Sequence, residues 1–150
     1  MEWKIEIPGG KKIAIVGQKG SGKTTLLKLL LRLYDVDQGA ILLDDIKYPN
    51  YNVNWLHQKI SIVEKEPIFF NGTIKENICC GLERNVSDEE LEYVYKMVNV
   101  HDKIKSLKNG GYDFTLEPYS STKYDKSLLQ GTALARALIR DQKIVLLHLV

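Results

Sequence analysis

The stretch GQKGSGKTT, from Gly17 to Thr25, constrains this chain more than any other part of its sequence. It follows an apolar run, Ile13 to Val16, and precedes a leucine-rich segment with helical spacing. The order of glycines, lysine and hydroxyl fits G-x-x-x-x-G-K-[ST], in which flexible glycines let backbone N–H groups converge on phosphate oxygens at a helix N-terminus. The sequence therefore predicts a phosphate-binding loop, or P-loop, between a strand and a helix.

Each residue type in this loop has a chemical role. The ammonium of Lys23 supplies a charge for the β- and γ-phosphates, and the hydroxyl of Thr24 is a candidate ligand for Mg²⁺. The alternative, a glycine-rich turn that binds nothing, is disfavoured because the loop stands in its required strand-loop-helix context. The residues predicted to contact ATP are Gly17, Gln18, Lys19, Gly20, Ser21, Gly22, Lys23, Thr24 and Thr25.

Composition limits the other possibilities. With 150 residues, 44% of them hydrophobic, the chain is long enough for one domain with a core. A net charge of +2 and scattered lysines do not indicate nucleic acid or an anionic membrane as a partner. No apolar stretch approaches the roughly 18 residues of a spanning helix, and adjacent Cys79 and Cys80 indicate a reducing, cytosolic compartment. At a membrane, the chain would need another protein as its anchor.

The first half of the sequence alternates between predicted strands and helices. Trp3 belongs to an alternating strand, so we interpret it as a core residue and not as an adenine-stacking one. Strands that alternate with helices along a chain predict a parallel sheet. The expected elements are a strand around Ile5 and Ile7, a strand Lys12 to Val16, a helix Thr24 to Tyr34 packed on both sides, a strand Ala40 to Leu43, a helix Val53 to Gln58 and a strand Ile60 to Val63.

The second half is predicted to be mainly helical. Thr73 and Ser87 each precede a glutamate by three residues, which is the spacing of a capping box at a helix start. A helical insertion is therefore expected at about 72–125. A helix at 125–140 and a buried strand at 143–150 complete the expected fold.

These motifs together resemble the nucleotide-binding domain of an ABC transporter, of the exporter (B-type) half-transporter kind. The P-loop alone would fit kinases and GTPases equally well, but EPIFFNGTIKENI and ALARALIRDQKIVLL occur in the same order as in the ABC family. The resemblance covers nearly the whole chain, so residues 1–150 are expected to form one ABC-type ATP-binding domain. It implies an α/β fold, a P-loop NTPase with a parallel sheet core and a helical insertion subdomain.

The resemblance also implies cofactors and partners. ATP with Mg²⁺ would lie between two domains of a head-to-tail dimer, and dimer closure would drive transmembrane domains. The chain is expected to be cytoplasmic, peripheral to a membrane through such a transporter partner. It would begin after the family's adenine-stacking aromatic residue and stop at the Walker B motif, which makes it a C-terminally truncated domain with an uncovered sheet edge.

Three family positions for metal binding and catalysis carry unsuitable residues. Lys65 stands at the position of the Q-loop glutamine, and a charged lysine has no lone pair for a metal. His148 replaces the Walker B aspartate and Leu149 replaces the catalytic glutamate, so no catalytic residue is intact. His148 could be a general base, but we expect a neutral core histidine because no acid is adjacent in sequence. Binding of Mg²⁺ is therefore expected to be weak, with Thr24 as its remaining ligand.

The family's signature segment, LSGGQ, is altered as well. It falls on 124–128, where Lys126 and Ser127 replace two glycines that allow close approach to a phosphate. Glu117 is interpreted as a remnant of the acidic loop before this segment. Because the altered Walker B and signature positions lie in one chain, both sites of a dimer would be affected. We expect a degenerate domain that binds ATP and hydrolyses it weakly or not at all. The alternatives are a working subunit completed by a partner and a soluble nucleotide-dependent interaction module.

Overall fold

The computed structural model describes residues 4–108, 111–118 and 123–148, which form an α/β arrangement. Short 3₁₀ turns occupy Tyr48–Asn50 and Gly111–Asp113. The helices are α1 (Lys23–Leu30), α2 (Val53–Lys59), α3 (Ile74–Cys79), α4 (Asp88–Met97), α5 (His101–Lys105) and α6 (Lys126–Leu138). The strands are β1 (Leu42–Leu43), β2 (Ile46–Lys47), β3 (Ile60–Val63), β4 (Gly72–Thr73), β5 (Thr115–Leu116) and β6 (Ile144–Leu147).

The parallel pair of β3 and β6 positions the candidate site. Ile60 pairs with Ile144 at one end and Val63 with Leu147 at the other, which confirms the parallel pairing expected from the sequence. Because the strands are parallel and in register, the residues that follow them emerge side by side. Glu64 and His148 are these residues.

The larger hydrophobic core lies among α3, α4, α5 and α6. Tyr95, Ile78 and Ile104 have no accessible surface, and the middle of α6 is buried against them. The helical insertion expected at about 72–125 contains α3 to α5, together with a short antiparallel pair of β4 and β5 that the sequence analysis did not predict. A second, smaller hydrophobic cluster, separate from this core, consists of Tyr48, Leu56 and Ile60.

The two predicted capping boxes have different outcomes. At α3 the prediction is confirmed, since the Thr73 hydroxyl accepts from the Glu76 N–H at 3.0 Å and the Glu76 carboxylate accepts from the Thr73 N–H at 2.7 Å. At α4 the Ser87 hydroxyl caps the helix, but the Glu90 carboxylate pairs with Arg84 and does not return to Ser87. The guanidinium is the stronger partner because it is a cation and donates two hydrogen bonds to the carboxylate, whereas the backbone offers one N–H.

The expected N-terminal strands are absent from the described residues. Residues 4–16 contain no strand, and Ile13 and Val16 are 50% and 91% exposed. A strand needs a hydrogen-bonded neighbour, and no described segment pairs with this one. The prediction was therefore wrong for this part of the described chain, while Trp3 lies outside the described residues.

Helix α1 and the segment after it also differ from expectation. None of the α1 leucines is fully buried, and the helix ends at Leu30, before Arg32 adopts a positive φ of 52°. The predicted strand at 40–43 is a short antiparallel hairpin of β1 and β2, whose turn residues Asp44 and Asp45 have φ of 47° and 63°. Two consecutive positive φ angles favour a tight hairpin, which explains why this strand does not join the parallel pair.

The last two elements are shorter than predicted. Asp125 is the N-cap of α6 and not its first helical residue. Strand β6 alternates between partly buried and exposed positions instead of being buried throughout, with Leu147 48% exposed. One face of β6 lacks a covering element among the described residues, which accounts for the alternation.

Candidate functional site

The side chain of Lys23 lies across the mouth of the P-loop. Its ammonium donates to the backbone carbonyl oxygens of Gly17 at 2.6 Å and Gln18 at 2.8 Å, and approaches the Ser21 hydroxyl at 3.4 Å. A lysine ammonium has three donor hydrogens, so all of them are engaged by the loop itself. An incoming phosphate would exchange these contacts for charge-assisted ones.

The backbone of the loop depends on glycine. Gly20 and Gly22 have φ of 85° and 91°, a region that residues with a Cβ atom rarely adopt. Gly22 is the residue before α1, and its carbonyl accepts the first helical hydrogen bond from the Leu26 N–H at 2.9 Å. The P-loop is therefore directly joined to a helix N-terminus, where the backbone N–H groups are free to meet an anion.

His148 lies between the P-loop and strand β3. Its Nδ1 is 2.9 Å from the Oε2 atom of Glu64, and its Nε2 is 3.3 Å from the hydroxyl oxygen of Thr24. The ring is partly exposed, with 27% of its side-chain surface accessible. These two contacts connect the three side chains in series, and we call the group the Thr24–His148–Glu64 relay.

The relay corrects the expectation that no acid orients His148. The acid is distant in sequence but adjacent in space, because Glu64 and His148 directly follow the paired ends of β3 and β6. The His148 N–H donates to the Val63 carbonyl at 2.9 Å, which extends the ladder by one bond and fixes the backbone there. Sequence analysis missed Glu64, although its place just after a predicted parallel strand was a usable signal.

The relay determines the donor atoms offered to a metal beside Thr24. An ionised carboxylate only accepts hydrogen bonds, so Glu64 fixes the proton of the neutral ring on Nδ1. The lone pair of Nε2 then faces the Thr24 hydroxyl. Mg²⁺ prefers oxygen ligands, and an imidazole nitrogen does not meet that preference. Beside the Thr24 hydroxyl, His148 therefore offers a cation a nitrogen and not an oxygen.

Lys65 and Leu149 are the other two residues that the sequence analysis predicted at altered family positions. The side chain of Lys65 is exposed and has no hydrogen bond or ion pair with another described residue. Its backbone carbonyl accepts from the Gln130 side chain at 3.4 Å. Leu149 lies outside the described residues, so its predicted position next to the site stays a prediction.

The backbone N–H groups at the start of α6 are capped by a carboxylate, that of Asp125. Asp125 Oδ1 accepts from the N–H of Ser127 at 2.6 Å and of Leu128 at 3.4 Å, and from the Ser127 hydroxyl at 2.6 Å. These hydrogen bonds lower the pKa of Asp125 to about 2. Lys103 contacts both the Asp125 carboxylate, at 3.4 Å, and the Ser127 hydroxyl. An anion approaching this helix end would meet two engaged N–H groups and a carboxylate paired with Lys103.

Glu117 lies close to the start of α6, as the sequence order suggests. Its carboxylate pairs with the Lys123 ammonium at 2.6 Å, and its backbone N–H donates to the Tyr124 hydroxyl at 3.3 Å. Both contacts tie the segment before α6 to β5. Its predicted role as a remnant of an acidic loop stays a prediction.

Comparison with known proteins identifies the family. The family profile described as "ABC transporter" matches residues 2–148 of the chain. The chain belongs to the ABC transporter family. Leptomycin B resistance protein pmd1 of Schizosaccharomyces pombe is 39% identical over 143 residues, which cover 95% of this chain and 10% of that protein. Multidrug resistance protein pgp-1 of Caenorhabditis elegans is 40% identical over 143 residues, which cover 95% and 11%.

A third relative and a solved structure agree with this assignment. The chloroplastic ABC transporter B family member 26 of Arabidopsis thaliana is 40% identical over 148 residues, which cover 95% of the chain and 20% of the relative. The structure of a bacterial Atm1-family ABC exporter with ATP bound superposes with a TM-score of 0.87 at 32% identity, covering 95% of this chain and 24% of that one. The chain thus spans a fifth or less of these relatives' length and corresponds to the ATP-binding domain of ABC exporters.

Within the described residues, no helix is both long and apolar enough to cross a membrane.

Proposed function

We propose that this domain binds ATP through residues 17–25, as part of an ABC exporter, and hydrolyses it weakly or not at all. The observation that carries the proposal is the P-loop itself, in which Lys23 spans the loop mouth at 2.6 and 2.8 Å from two backbone carbonyls, directly before α1. A cation held at this point is placed to exchange carbonyl oxygens for phosphate oxygens.

Weak hydrolysis is supported by the donors beside Thr24 and by the occupied start of α6. Hydrolysis in P-loop enzymes depends on stabilising charge around a metal and on an oriented water. Here an imidazole nitrogen stands 3.3 Å from the Thr24 hydroxyl, where an oxygen donor would suit Mg²⁺. The Asp125 carboxylate occupies the helix end that the family resemblance assigns to the phosphate of an opposing domain.

Partners of this domain follow from its relatives. We propose a head-to-tail pairing with another ABC domain and attachment to transmembrane domains, on the cytoplasmic side of a membrane. A second candidate function is a working transport ATPase in which another subunit supplies the missing groups. The 39% identity to leptomycin B resistance protein pmd1 favours keeping it, because this identity extends over 95% of the chain and is not confined to the P-loop.

The ATP-binding proposal is tested with Lys23→Ala, measured by titration calorimetry of ATP against the purified chain. We expect affinity to fall about 10- to 100-fold, because hydrogen bonds to charged groups contribute about 1.5–3 kcal/mol. Lys12→Ala is the matched control, since it removes the same charge from an exposed lysine outside residues 17–25. Equal affinities of the wild-type chain and Lys23→Ala would disprove the assignment.

A further inference from the structure

The nitrogen beside Thr24 is part of an arrangement that is common at metal centres. A histidine that ligates a metal through one ring nitrogen usually donates its other N–H to a carboxylate, which fixes the tautomer and raises the basicity of the ligand. His148 has this arrangement, with Glu64 Oε2 2.9 Å from Nδ1 and Nε2 directed at the Thr24 hydroxyl.

Imidazole nitrogen changes which cation is preferred. Mg²⁺ is hard, dehydrates reluctantly and favours oxygen, whereas Co²⁺, Ni²⁺ and Zn²⁺ bind imidazole well. The P-loop hydroxyl and the phosphate oxygens of a nucleotide are acceptable ligands for both groups of cations. His148 is therefore the residue that discriminates between them.

We propose that ATP binds to this domain together with a borderline-soft divalent cation, ligated by His148 Nε2, Thr24 Oγ1 and phosphate oxygens, in preference to Mg²⁺. The inference rests on the proposed ATP binding at residues 17–25. It adds the chemical class of the cation and assigns Glu64 as the positioning residue for the ring.

The observed spacing is compatible with shared ligation. Two ligands at right angles on a metal, each with a bond of about 2.1 Å, lie about 3 Å apart. The Thr24 hydroxyl and His148 Nε2 are 3.3 Å apart, so a small adjustment would let both reach one cation. The described residues contain no group of three or more His, Cys, Asp or Glu side chains suited to a metal. The cation should therefore bind with the nucleotide and not before it.

The experiment measures the affinity of the purified 150-residue chain for ATP by calorimetry in EDTA, in Mg²⁺ and in Co²⁺. We expect Co²⁺ to tighten ATP binding at least about tenfold over EDTA, and Mg²⁺ to change it by less than about threefold. The visible absorption of Co²⁺ supplies a second readout, since ligation by nitrogen alters it only when both ATP and the chain are present.

Variants assign the effect to the relay. His148→Ala should remove the Co²⁺ enhancement, so that the variant binds ATP equally well in Co²⁺ and in EDTA, and His148→Asp should transfer the enhancement to Mg²⁺. Glu64→Gln should weaken the Co²⁺ effect by about tenfold, the lower end of the usual cost of losing a group that orients a metal ligand. His57→Ala is the matched control, because it removes an exposed histidine whose Nε2 lies 2.9 Å from the Leu31 carbonyl, outside the relay.

The outcomes distinguish failure of this inference from failure of the proposed ATP binding. Equal enhancement by Mg²⁺ and Co²⁺ in the wild-type chain overturns the inference and leaves ATP binding intact. A Co²⁺ enhancement that persists in His148→Ala but disappears in His57→Ala also overturns it. Absence of ATP binding by the wild-type chain in every buffer overturns the proposed function instead. The comparison of cations in the wild-type chain gives its answer even if a variant fails to fold.

Discussion

At the scale of single residues, the proposed loss of hydrolysis depends most on Asp125 and His148. Both are polar side chains at the ends of regular elements, and both are held by residues far away in sequence or by the adjoining backbone. The Asp125 carboxylate caps the N-terminus of α6 and forms an ion pair with Lys103. The residue that caps the helix thus uses the N–H groups that an anion would otherwise bind there.

A pH experiment on Asp125 tests this cap. Its pKa is lowered from 3.8 to about 2, first by the Ser127 hydroxyl and then by the Ser127 N–H. A lowered folded-state pKa adds stability that is fully present above pH 3.8 and is lost as the pH falls through about 2. Asp125→Asn keeps a capping oxygen but has no charge to lose. We therefore expect its urea midpoint to fall less than that of the wild-type chain between pH 5 and about pH 2.5.

The control for the cap is Asp37→Asn, which changes an exposed carboxylate that has no hydrogen bond or ion pair with another described residue. This variant should follow the wild-type pH dependence. An Asp125→Asn curve parallel to the wild-type curve over the same range would contradict the assigned cap.

At the scale of elements, α6 determines how the helical part packs. It lies against α3, α4 and β3, and its midpoint, Gly131, is buried. A Cβ atom added there would lie 2.1 Å from the Val100 Cγ1 atom, and Val100 is itself only 2% exposed. The glycine is present because of close approach and not for backbone freedom, since its φ is not positive.

Gly131→Ala has two opposed effects on stability. Alanine favours the helix by about 1 kcal/mol over glycine, while overpacking a core costs about 1–3 kcal/mol. Because the contact is with a buried, β-branched side chain, we expect the clash to prevail and the free energy of unfolding to fall. In a Val100→Ala background the same substitution should be neutral or stabilising, which a double-mutant cycle in urea would measure. Identical effects in the two backgrounds would exclude the contact as the cause.

Local signals account for the elements that the sequence predicted well. The start of α3 depends on Thr73 and Glu76, which are three positions apart and cap each other. The Glu64–His148 contact joins residues 84 positions apart, and only the register of β3 with β6 brings them together. The N-terminal strands were predicted from alternation around Ile5 and Ile7 and from the apolar run Ile13 to Val16, but neither pattern supplies the hydrogen-bonded neighbour that a strand needs.

At the scale of the whole molecule, the described chain has two unequal parts. The helical part contains nearly all fully buried side chains, whereas α1, which follows the P-loop, contains none. The P-loop is attached through the relay and, beyond α1, through Leu31, which packs on the smaller cluster. The P-loop pattern could be read from the sequence because it is contiguous. The relay beside it could not, because it needs the tertiary fold.

Turnover is a property of the whole assembly, and we expect it to be negligible. Loss of a general base costs about 10² to 10⁴ in rate, and a poorly fitting metal adds to that. In a phosphate-release assay with Mg²⁺, the purified chain should not differ from Lys23→Ala. Leu149→Glu alone should not restore activity, because Lys65, His148 and the Asp125 cap stay in place. Hydrolysis that is robust in the wild-type chain and lost in Lys23→Ala would instead support the working-subunit alternative.

The relay also has a consequence for how the domain is made. Thr24 and His148 are separated by 124 positions, so their contact closes one of the longest loops that the chain can form. During synthesis the P-loop leaves the ribosome long before β6 does. The contact between Thr24 and His148 cannot form until the residues after β6 have emerged. Contacts of such long range form late in folding. A nascent chain therefore carries residues 17–25, which we propose bind ATP, well before it carries the residue that we propose selects the metal.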